Sequence, residues 1–244
     1  MCHSDESLPP QPPHIGPVGE HGSIRLTSAD GTSLAAYQAH PGVPSDRGVV
    51  ILPDIRGLHE YYRHLAVRFA EAGFHAVAFD YFARTAPDDD RSDGFDWQQH
   101  IPLTSPETIA LDVAAASTAV RAMGTTSVYT VGFCFGGGYS WRQAADQPGL
   151  SGAIGFYGRV DTVVPVAAQV AAPLLMLLAA DDANIRPESF DPLISDLDAR
   201  GIGAERHVYE GAPHSFFDRS FADHAGACDD AWQRILAFTG RNAG

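Results

Sequence analysis

One segment of the sequence has the residue types and spacing of a reactive nucleophile on a sharp turn. Residues 128–138 read VYTVGFCFGGG, an apolar run followed by Gly132, Cys134 and three more glycines. The pattern glycine–x–nucleophile–x–glycine is typical of a nucleophile elbow between a strand and a helix. Flanking glycines avoid clashes there, and the helix N-terminus favours a thiolate and an oxyanion. Cys134 is therefore the candidate nucleophile; a buried structural cysteine is the alternative.

Such a nucleophile needs a general base and a carboxylate that orients the base. Of the three histidines after Cys134, one falls inside a predicted strand and another near the last predicted helix. The third, His214, lies in a loop that follows a strand, where open α/β sheets bind ligands. Asp181 and Asp182 directly follow the preceding strand, and either could be the acid. The chain order nucleophile, acid, histidine predicts a Cys–His–Asp triad.

The elements that would position these residues alternate between strand and helix from Ser23 onward. Helix signals are clearest near Ser105 and Pro106, an N-cap and a first-turn proline. The predicted strands are 23–27, 33–38, 48–52, 75–79, 128–131, 153–157, 174–179 and 205–209. The predicted helices are 61–72, 111–123, 135–145, 187–200 and 222–238. This alternation predicts an α/β fold with a mostly parallel sheet and helices on both faces.

Residues 1–22 and the remainder of the chain differ in composition. The first 22 residues are polar and rich in proline, and we expect a disordered or surface-clinging tail. Residues 23–244 show no internal repeat or linker, which predicts a single domain. A long polar insertion at 84–104 carries several aspartates; a solvated surface is its simplest interpretation, although it could help to roof a pocket.

Composition excludes several classes of partner. The chain has 244 residues and a net charge of −14, which argues against nucleic-acid binding. No apolar stretch is long enough to span a membrane. Three scattered cysteines are too few for a disulfide framework, which favours a reducing cytoplasm. We expect a cytoplasmic monomer or small homo-oligomer that acts on a small-molecule substrate.

The sequence resembles the dienelactone hydrolase (carboxymethylenebutenolidase) family of α/β-hydrolases from about Ile24 to Phe238. The resemblance is carried by residues 52–57 (LPDIRG), 79–84 (FDYFAR), 132–137 (GFCFGG), 155–158 (GFYG) and 211–216 (GAPHSF). It implies an α/β-hydrolase fold and hydrolysis of lactone or ester bonds in small carboxylate-bearing substrates. It calls for no cofactor and no metal.

The resemblance also implies roles for individual residues. The triad maps onto Cys134, His214 and Asp182, and Asp182 is preferred over Asp181 because an aliphatic residue follows it three positions later. The backbone N–H groups of Phe135 and Ile55 would bind the oxyanion.

Three further positions correspond to the family's thiol-gating and substrate-binding residues. Asp54 occupies the place of a glutamate that gates ionisation of the thiol. Arg84 matches an arginine that binds the substrate's carboxylate. Arg219 stands one residue beyond the position of the second such arginine, where this chain has Asp218.

Two alternative functions are compatible with the sequence. One is a broad-specificity carboxylesterase or thioesterase in which Arg84 has only a structural role. The other is a non-catalytic protein that keeps the fold and uses Cys134 as a redox sensor. A complete triad disfavours the second alternative.

Overall fold

The computed structural model describes residues 5–218 and 221–243. Its eight strands are β1 (Val18–Thr27), β2 (Ser33–Pro41), β3 (Arg47–Leu52), β4 (His75–Phe79), β5 (Ser127–Phe133), β6 (Gly152–Phe156), β7 (Leu174–Asp181) and β8 (Ala204–Pro213). They form one sheet in the order β1-β2-β4-β3-β5-β6-β7-β8. The β1–β2 and β2–β4 pairs are antiparallel, and all other pairs are parallel. The predicted mostly parallel sheet is confirmed.

Five α-helices lie in the connections between parallel strands, and a sixth follows β8. They are α1 (Glu60–Glu71), α2 (Trp97–His100), α3 (Pro106–Ala122), α4 (Phe135–Asp146), α5 (Asp191–Ala199) and α6 (Ala225–Arg241). Helix α3 begins at a capping box, in which Ser105 and Thr108 exchange hydrogen bonds, and Pro106 occupies the first turn. The predicted start signals are therefore the ones that the structure uses.

Two glycines of β6 show that helices cover both faces of the sheet. Gly152 and Gly155 lie on opposite faces because side-chain directions alternate along a strand. A Cβ atom on Gly152 would lie 2.6 Å from Phe238 of α6, and one on Gly155 would lie 2.4 Å from Trp141 of α4. Strand β6 is therefore buried between two helices, and all its residues are buried.

The segment before the first strand is shorter than the predicted tail of residues 1–22. Strand β1 begins at Val18, five residues before the predicted strand, because backbone pairing with β2 extends through polar residues that carry no strand pattern. The preceding residues lie against the domain. The indole N–H of Trp232 donates to the carbonyl of Pro10 at 3.2 Å, and the N–H of Gly16 donates to the carbonyl of Glu71 at 2.8 Å.

Three helices also differ from their predicted bounds. Helix α3 begins at Pro106, five residues before the predicted range 111–123, because the helix starts directly at its cap. The segment predicted as one helix over 187–200 begins with a 3₁₀ turn, Pro187–Phe190, and continues as α5. Helix α6 begins at Ala225, three residues after its predicted start. Among the described residues, no helix combines the length and the apolar character that crossing a membrane requires.

Candidate active site

Cys134 lies on a sharp turn between β5 and α4. Its φ of 53° and ψ of −113° are unusual for a residue other than glycine, and such strain is often found at functional sites. The turn is held at both sides: the N–H of Cys134 donates to the carbonyl of Phe156 at 3.0 Å, and its carbonyl accepts from the N–H of Gly137 at 3.0 Å. This is the geometry of a nucleophile elbow.

Close approach of the backbones explains the glycines on either side of Cys134. A Cβ atom on Gly132 would lie 1.9 Å from the carbonyl oxygen of Gly136. A Cβ atom on Gly136 would lie 2.2 Å from the carbonyl oxygen of Leu52 at the end of β3. Helix α4 can begin this close to the sheet only because both positions lack a side chain.

His214 and Asp182 meet at the carboxyl ends of β8 and β7. Asp182 directly follows β7, and His214 directly follows β8. Nδ1 of His214 lies 2.5 Å from Oδ2 of Asp182, whose side chain is fully buried. The other carboxylate oxygen, Oδ1, accepts from the backbone N–H of Asn184 at 2.8 Å. The neighbouring Asp181 ends β7 as an exposed residue, so the structure pairs the histidine with Asp182.

The carboxyl group of Asp182 is held in its ionised form. Burial opposes ionisation, but the hydrogen bonds from His214 and from the N–H of Asn184 outweigh burial and keep the pKa below its ordinary value. An ionised partner at Nδ1 favours the tautomer with its proton on Nδ1, in which Nε2 is unprotonated and can act as a base. The pair can therefore act as an oriented general base.

A cavity of about 580 Å³ brings Cys134 and His214 to one space. Four of its lining residues, Trp97, Phe135, Tyr139 and Tyr157, have aromatic side chains. The complete lining is Ile55, Trp97, Cys134, Phe135, Tyr139, Tyr157, Arg159, Thr162, Asn184, Ile185 and His214. Of the side chains that the structure describes, none lining this cavity is a carboxylate, and Arg159 contributes a permanent positive charge. We call this space the thiol cavity.

Both candidate oxyanion donors, Phe135 and Ile55, line the thiol cavity. Phe135 is the first residue of α4, and N–H groups in the first turn of a helix have no partner within the helix. Ile55 lies in the turn that follows β3, where the N–H of Gly57 donates to the carbonyl of Asp54 at 3.2 Å. The two donors thus lie just beyond the carboxyl ends of two adjacent parallel strands, β3 and β5.

Asp54 is fully buried next to Ile55 but does not line the thiol cavity. Its Oδ1 accepts from the backbone N–H of Arg56 at 2.9 Å, and its own N–H donates to the hydroxyl of Tyr62 at 3.0 Å. These contacts are those of a turn residue. Its role in gating the thiol stays a prediction.

Arg84, expected to bind the substrate's carboxylate, does not line the thiol cavity. Its guanidinium forms two hydrogen bonds of 2.7 Å to Asp112 of α3 and one of 2.8 Å to Asp30 in the β1–β2 turn. Asp112 is almost fully buried, so its charge requires this partner. The other expected carboxylate-binding residue, Arg219, lies outside the described residues.

Seven residues of the cavity lining were not predicted as site residues: Trp97, Tyr139, Tyr157, Arg159, Thr162, Asn184 and Ile185. Trp97 belongs to the polar insertion at 84–104 and lines the cavity. The many aspartates of this insertion favoured its interpretation as a solvated surface, so Trp97 was not predicted. Arg159 follows β6 by three residues. The carboxyl end of β6 adjoins that of β5, and this neighbourhood is the signal that could have identified Arg159.

One group of side chains outside the cavity is close enough to hold a metal ion. Among the described residues, it comprises Asp5, His59 and Asp93, whose potential ligand atoms lie within 4.8 Å of one another. Arg56 already contacts both carboxylates, at 3.1 Å and 2.8 Å. Because a guanidinium neutralises the same oxygens, the group is an ion-pair cluster between the N-terminal segment and the insertion.

Comparison with known proteins identifies the family. The model of the dienelactone hydrolase family matches residues 34–242. A carboxymethylenebutenolidase of Rhodococcus opacus is 29% identical over 253 residues, covering 98% of this chain and 96% of that protein. An Escherichia coli protein provisionally named a carboxymethylenebutenolidase is 29% identical over 224 residues, covering 85% and 82%.

A solved structure is similar over nearly the whole chain. It is a Klebsiella pneumoniae protein provisionally named a dienelactone hydrolase, with a TM-score of 0.77 and 26% identity. The alignment covers 91% of this chain and 99% of that one. Since the family model spans most of the sequence and the fold agrees, the chain belongs to the dienelactone hydrolase family of α/β-hydrolases.

Proposed function

We propose that Cys134, His214 and Asp182 hydrolyse ester and lactone bonds by a two-stage acyl transfer. Family membership makes the chain a hydrolase of such bonds. The observation that carries the assignment of residues is the pairing of His214 with a buried carboxylate at 2.5 Å in the same cavity as the strained cysteine.

The first stage forms a thioester. With its Nδ1 proton held by Asp182, His214 takes the thiol proton of Cys134 at Nε2. The thiolate attacks the carbonyl carbon, and the carbonyl electron pair moves onto oxygen, where the N–H groups of Ile55 and Phe135 stabilise the charge. When the carbonyl re-forms, the bond to the alcohol oxygen breaks and His214 returns its proton to that oxygen.

The second stage releases the acid. A water molecule gives a proton to Nε2 of His214 while its oxygen attacks the thioester carbon. The oxyanion donors act again, the carbon–sulfur bond breaks, and the sulfur of Cys134 recovers the proton. For a lactone, the alcohol and acid formed belong to one molecule, and the ring is opened.

The two described cysteines differ in the way this mechanism requires. Cys134 is partly exposed within the thiol cavity, whereas Cys228 is buried in α6. Burial raises the pKa of the Cys228 thiol to about 12, so it is not a thiolate near neutral pH. Cys228 therefore serves as an internal control for thiol chemistry. A mechanism that depends on a reduced thiol also supports a cytoplasmic location.

We propose in addition that Asp54 restrains ionisation of the resting thiol. A buried carboxylate beside the oxyanion loop would disfavour a second negative charge nearby. Asp54→Asn should then increase the rate at which iodoacetamide alkylates Cys134. An unchanged rate would leave Asp54 as a turn residue only.

The cavity's size fits a small-molecule substrate, since sites for small ligands usually measure about 300–1,000 Å³. The aromatic residues in its lining and the engagement of Arg84 by Asp112 and Asp30 favour a second candidate, a carboxylesterase or thioesterase of broad specificity. The two candidates share the triad and differ in whether a carboxylate on the substrate increases kcat/KM.

Hydrolysis of p-nitrophenyl acetate tests the proposed function. The wild-type protein should release p-nitrophenol catalytically, Cys134→Ala should not, and Cys228→Ala should retain the activity because its thiol is buried away from the cavity. Circular dichroism of each variant checks that the fold is intact. Turnover by Cys134→Ala at the wild-type rate would contradict the proposal.

A further inference from the structure

The segment before β1 lies along the domain, and we call residues 5–17 the N-terminal strap. Three of its five prolines are buried, and the carbonyl of Pro10 accepts from the indole N–H of Trp232 at 3.2 Å. At its other end, Asp5 contacts the loop that follows β3. The strap therefore connects α6 with a loop whose next residues line the thiol cavity.

The carboxylate of Asp5 joins three segments of the chain. Its Oδ1 accepts from the Arg56 guanidinium at 3.1 Å and lies 2.7 Å from Nε2 of His59. Its Oδ2 accepts from the backbone N–H of Asp93, in the polar insertion, at 3.1 Å. Nδ1 of His59 accepts from the N–H of Tyr61 at 3.0 Å, so Nε2 carries the ring proton and donates to Asp5. The hydrogen bonds from His59 and Asp93 keep the pKa of Asp5 well below its ordinary value, and the group is ionised at neutral pH.

Arg56 depends on these carboxylates because its side chain is buried. That side chain is 1% exposed, and a guanidinium removed from water needs compensating charge and hydrogen-bond acceptors. It contacts Asp5 at 3.1 Å, Asp93 at 2.8 Å and the carbonyl of Arg91 at 3.0 Å. Asp5 and Asp93 are about half-exposed, so they reach Arg56 from the surface. The strap and the insertion together therefore hold the Arg56 side chain.

Arg56 directly follows Ile55, whose N–H is a proposed oxyanion donor and which lines the thiol cavity. The N–H of Arg56 donates to Oδ1 of Asp54 at 2.9 Å, and the N–H of Gly57 donates to the carbonyl of Asp54 at 3.2 Å. Ile55 thus lies between two residues with buried side chains. The peptide group that carries the N–H of Ile55 joins it to Asp54, so the direction of that N–H depends on how these neighbours are held.

The polar insertion contributes to the cavity as well. Asp93 is held by Asp5 through its backbone N–H and by Arg56 through its carboxylate. Trp97, four residues later, lines the thiol cavity. Both segments that Asp5 joins to the strap therefore supply a residue to the cavity, although Asp5 itself does not line it.

We propose that Asp5 is a positioning residue for ester and lactone hydrolysis. Through Arg56 it holds the loop that carries Ile55, and through Asp93 it holds the insertion that carries Trp97. The inference rests on the proposed function for the role of Ile55. Because Asp5 touches no reacting atom, its loss should slow the steps that form an oxyanion and leave the reactivity of the Cys134 thiol unchanged.

Two reactions of the same thiol test this role. Acylation by p-nitrophenyl acetate forms an oxyanion. In exchange with 2,2′-dipyridyl disulfide, the thiolate attacks one sulfur, the disulfide bond breaks and pyridine-2-thione leaves, so no oxyanion forms. Both reactions are measured in a Cys2→Ser/Cys228→Ala background, in which Cys134 is the single thiol.

Asp5→Ala should lower kcat/KM for the ester about tenfold, less than the factor of about 10²–10³ that loss of a whole oxyanion donor costs. The rate of disulfide exchange should stay within about threefold, since it depends on ionisation and access of the thiol. The fold should persist because Asp93 still pairs with Arg56. Equal losses in both reactions, or no loss in either, overturn the positioning role.

Two further variants are controls. Asp5→Glu keeps the charge on a half-exposed side chain, and kcat/KM should return to within about threefold of the wild-type value. Glu205→Ala removes a carboxylate that is 46% exposed, against 45% for Asp5, and that pairs with Arg241 away from the thiol cavity. It should leave both reactions unchanged, and a tenfold loss of kcat/KM in this control would overturn the specific role of Asp5.

Hydrogen exchange followed by mass spectrometry gives a readout that needs no activity. Asp5→Ala should increase deuterium uptake in residues 54–58 and 90–97 and leave α5 unchanged. Unchanged uptake in both segments overturns the inference. Ester hydrolysis that Cys134→Ala retains contradicts the proposed function instead, and the uptake measurement then still decides whether Asp5 holds the two segments.

Discussion

Replacing Asp182 with asparagine tests how the catalytic histidine is oriented. In the structure, Oδ1 of Asp182 accepts from the backbone N–H of Asn184 and Oδ2 faces Nδ1 of His214. An asparagine in the same rotamer would keep its amide oxygen toward that N–H and direct its NH₂ group at Nδ1. Nδ1 would then have to accept, which moves the ring proton to Nε2, the atom that must accept the thiol proton. The variant should therefore favour the non-productive tautomer.

The two stages should not lose equally. In serine proteases this substitution lowers kcat by about 10⁴, or about 5.5 kcal/mol at 1.36 kcal/mol per tenfold change. A thiol is far more acidic than water and more nucleophilic, so acylation of Cys134 depends less on the base and should fall only about 10–100-fold. Water is not ionised to a useful extent at neutral pH and needs the base, so the rate of deacylation should fall by the full factor of about 10⁴. Asp182→Asn should thus become limited by deacylation.

Rapid mixing with p-nitrophenyl acetate measures both stages. We expect a burst of about one p-nitrophenol per Cys134 thiol, followed by a very slow steady state. Asp181→Asn is the matched control: Asp181 is exposed at the end of β7, and its replacement should change kcat by less than about threefold. The reasoning is refuted if Asp182→Asn retains kcat within tenfold, or if Asp181→Asn suffers the larger loss.

Three other substitutions test parts of the fold. Arg84→Ala should lower the free energy of unfolding by about 3–5 kcal/mol in urea titrations, because the buried carboxylate of Asp112 loses its partner. In the same variant kcat/KM for acidic and neutral esters should change equally; a selective loss on acidic esters would restore the predicted role of Arg84 in binding substrate. Gly136→Ala should lower the free energy of unfolding by about 1–3 kcal/mol or more, because its Cβ would lie 2.2 Å from a backbone oxygen. The control Gly240→Ala, which has open space in α6, should be neutral or stabilising. Similar losses of stability in both variants would contradict the close approach at the elbow. Burial and a neighbouring histidine lower the pKa of His75, so the unfolded state binds more protons than the folded state. The free energy of unfolding should therefore fall as pH drops below about 6.5, and less steeply in His75→Gln than in the wild type. Equal pH dependence of stability in the two proteins would contradict this role of His75.

The sequence predicted most of the architecture because its signals are local. The run 128–131 and the following glycines identify a buried strand and an elbow, and Ser105 with Pro106 identifies the start of α3; the structure has both. Each signal depends on backbone conformation or on burial of one face, which neighbouring residues determine. The start of β1 was less predictable, since pairing with β2 rather than side-chain pattern extends it to Val18.

The substrate-binding side of the site was less predictable. Arg84 follows β4 at a position suited to the pocket, but its ion pairs with Asp112 and Asp30 form between elements distant in sequence. No local pattern reports which of several carboxylates a guanidinium will contact. Arg159 and Trp97 enter the cavity through loops, whose paths depend on long-range packing.

The central claim, that Cys134 carries the acyl group, is tested most directly by intact-protein mass spectrometry. Asp182→Asn protein quenched in acid within the p-nitrophenyl acetate burst should have gained the mass of one acetyl group, located by peptide mapping on Cys134. The double variant Cys134→Ala/Asp182→Asn should gain none, and Cys228 should remain unmodified in both. Acetylation at another residue, or none during a full burst, would contradict the account.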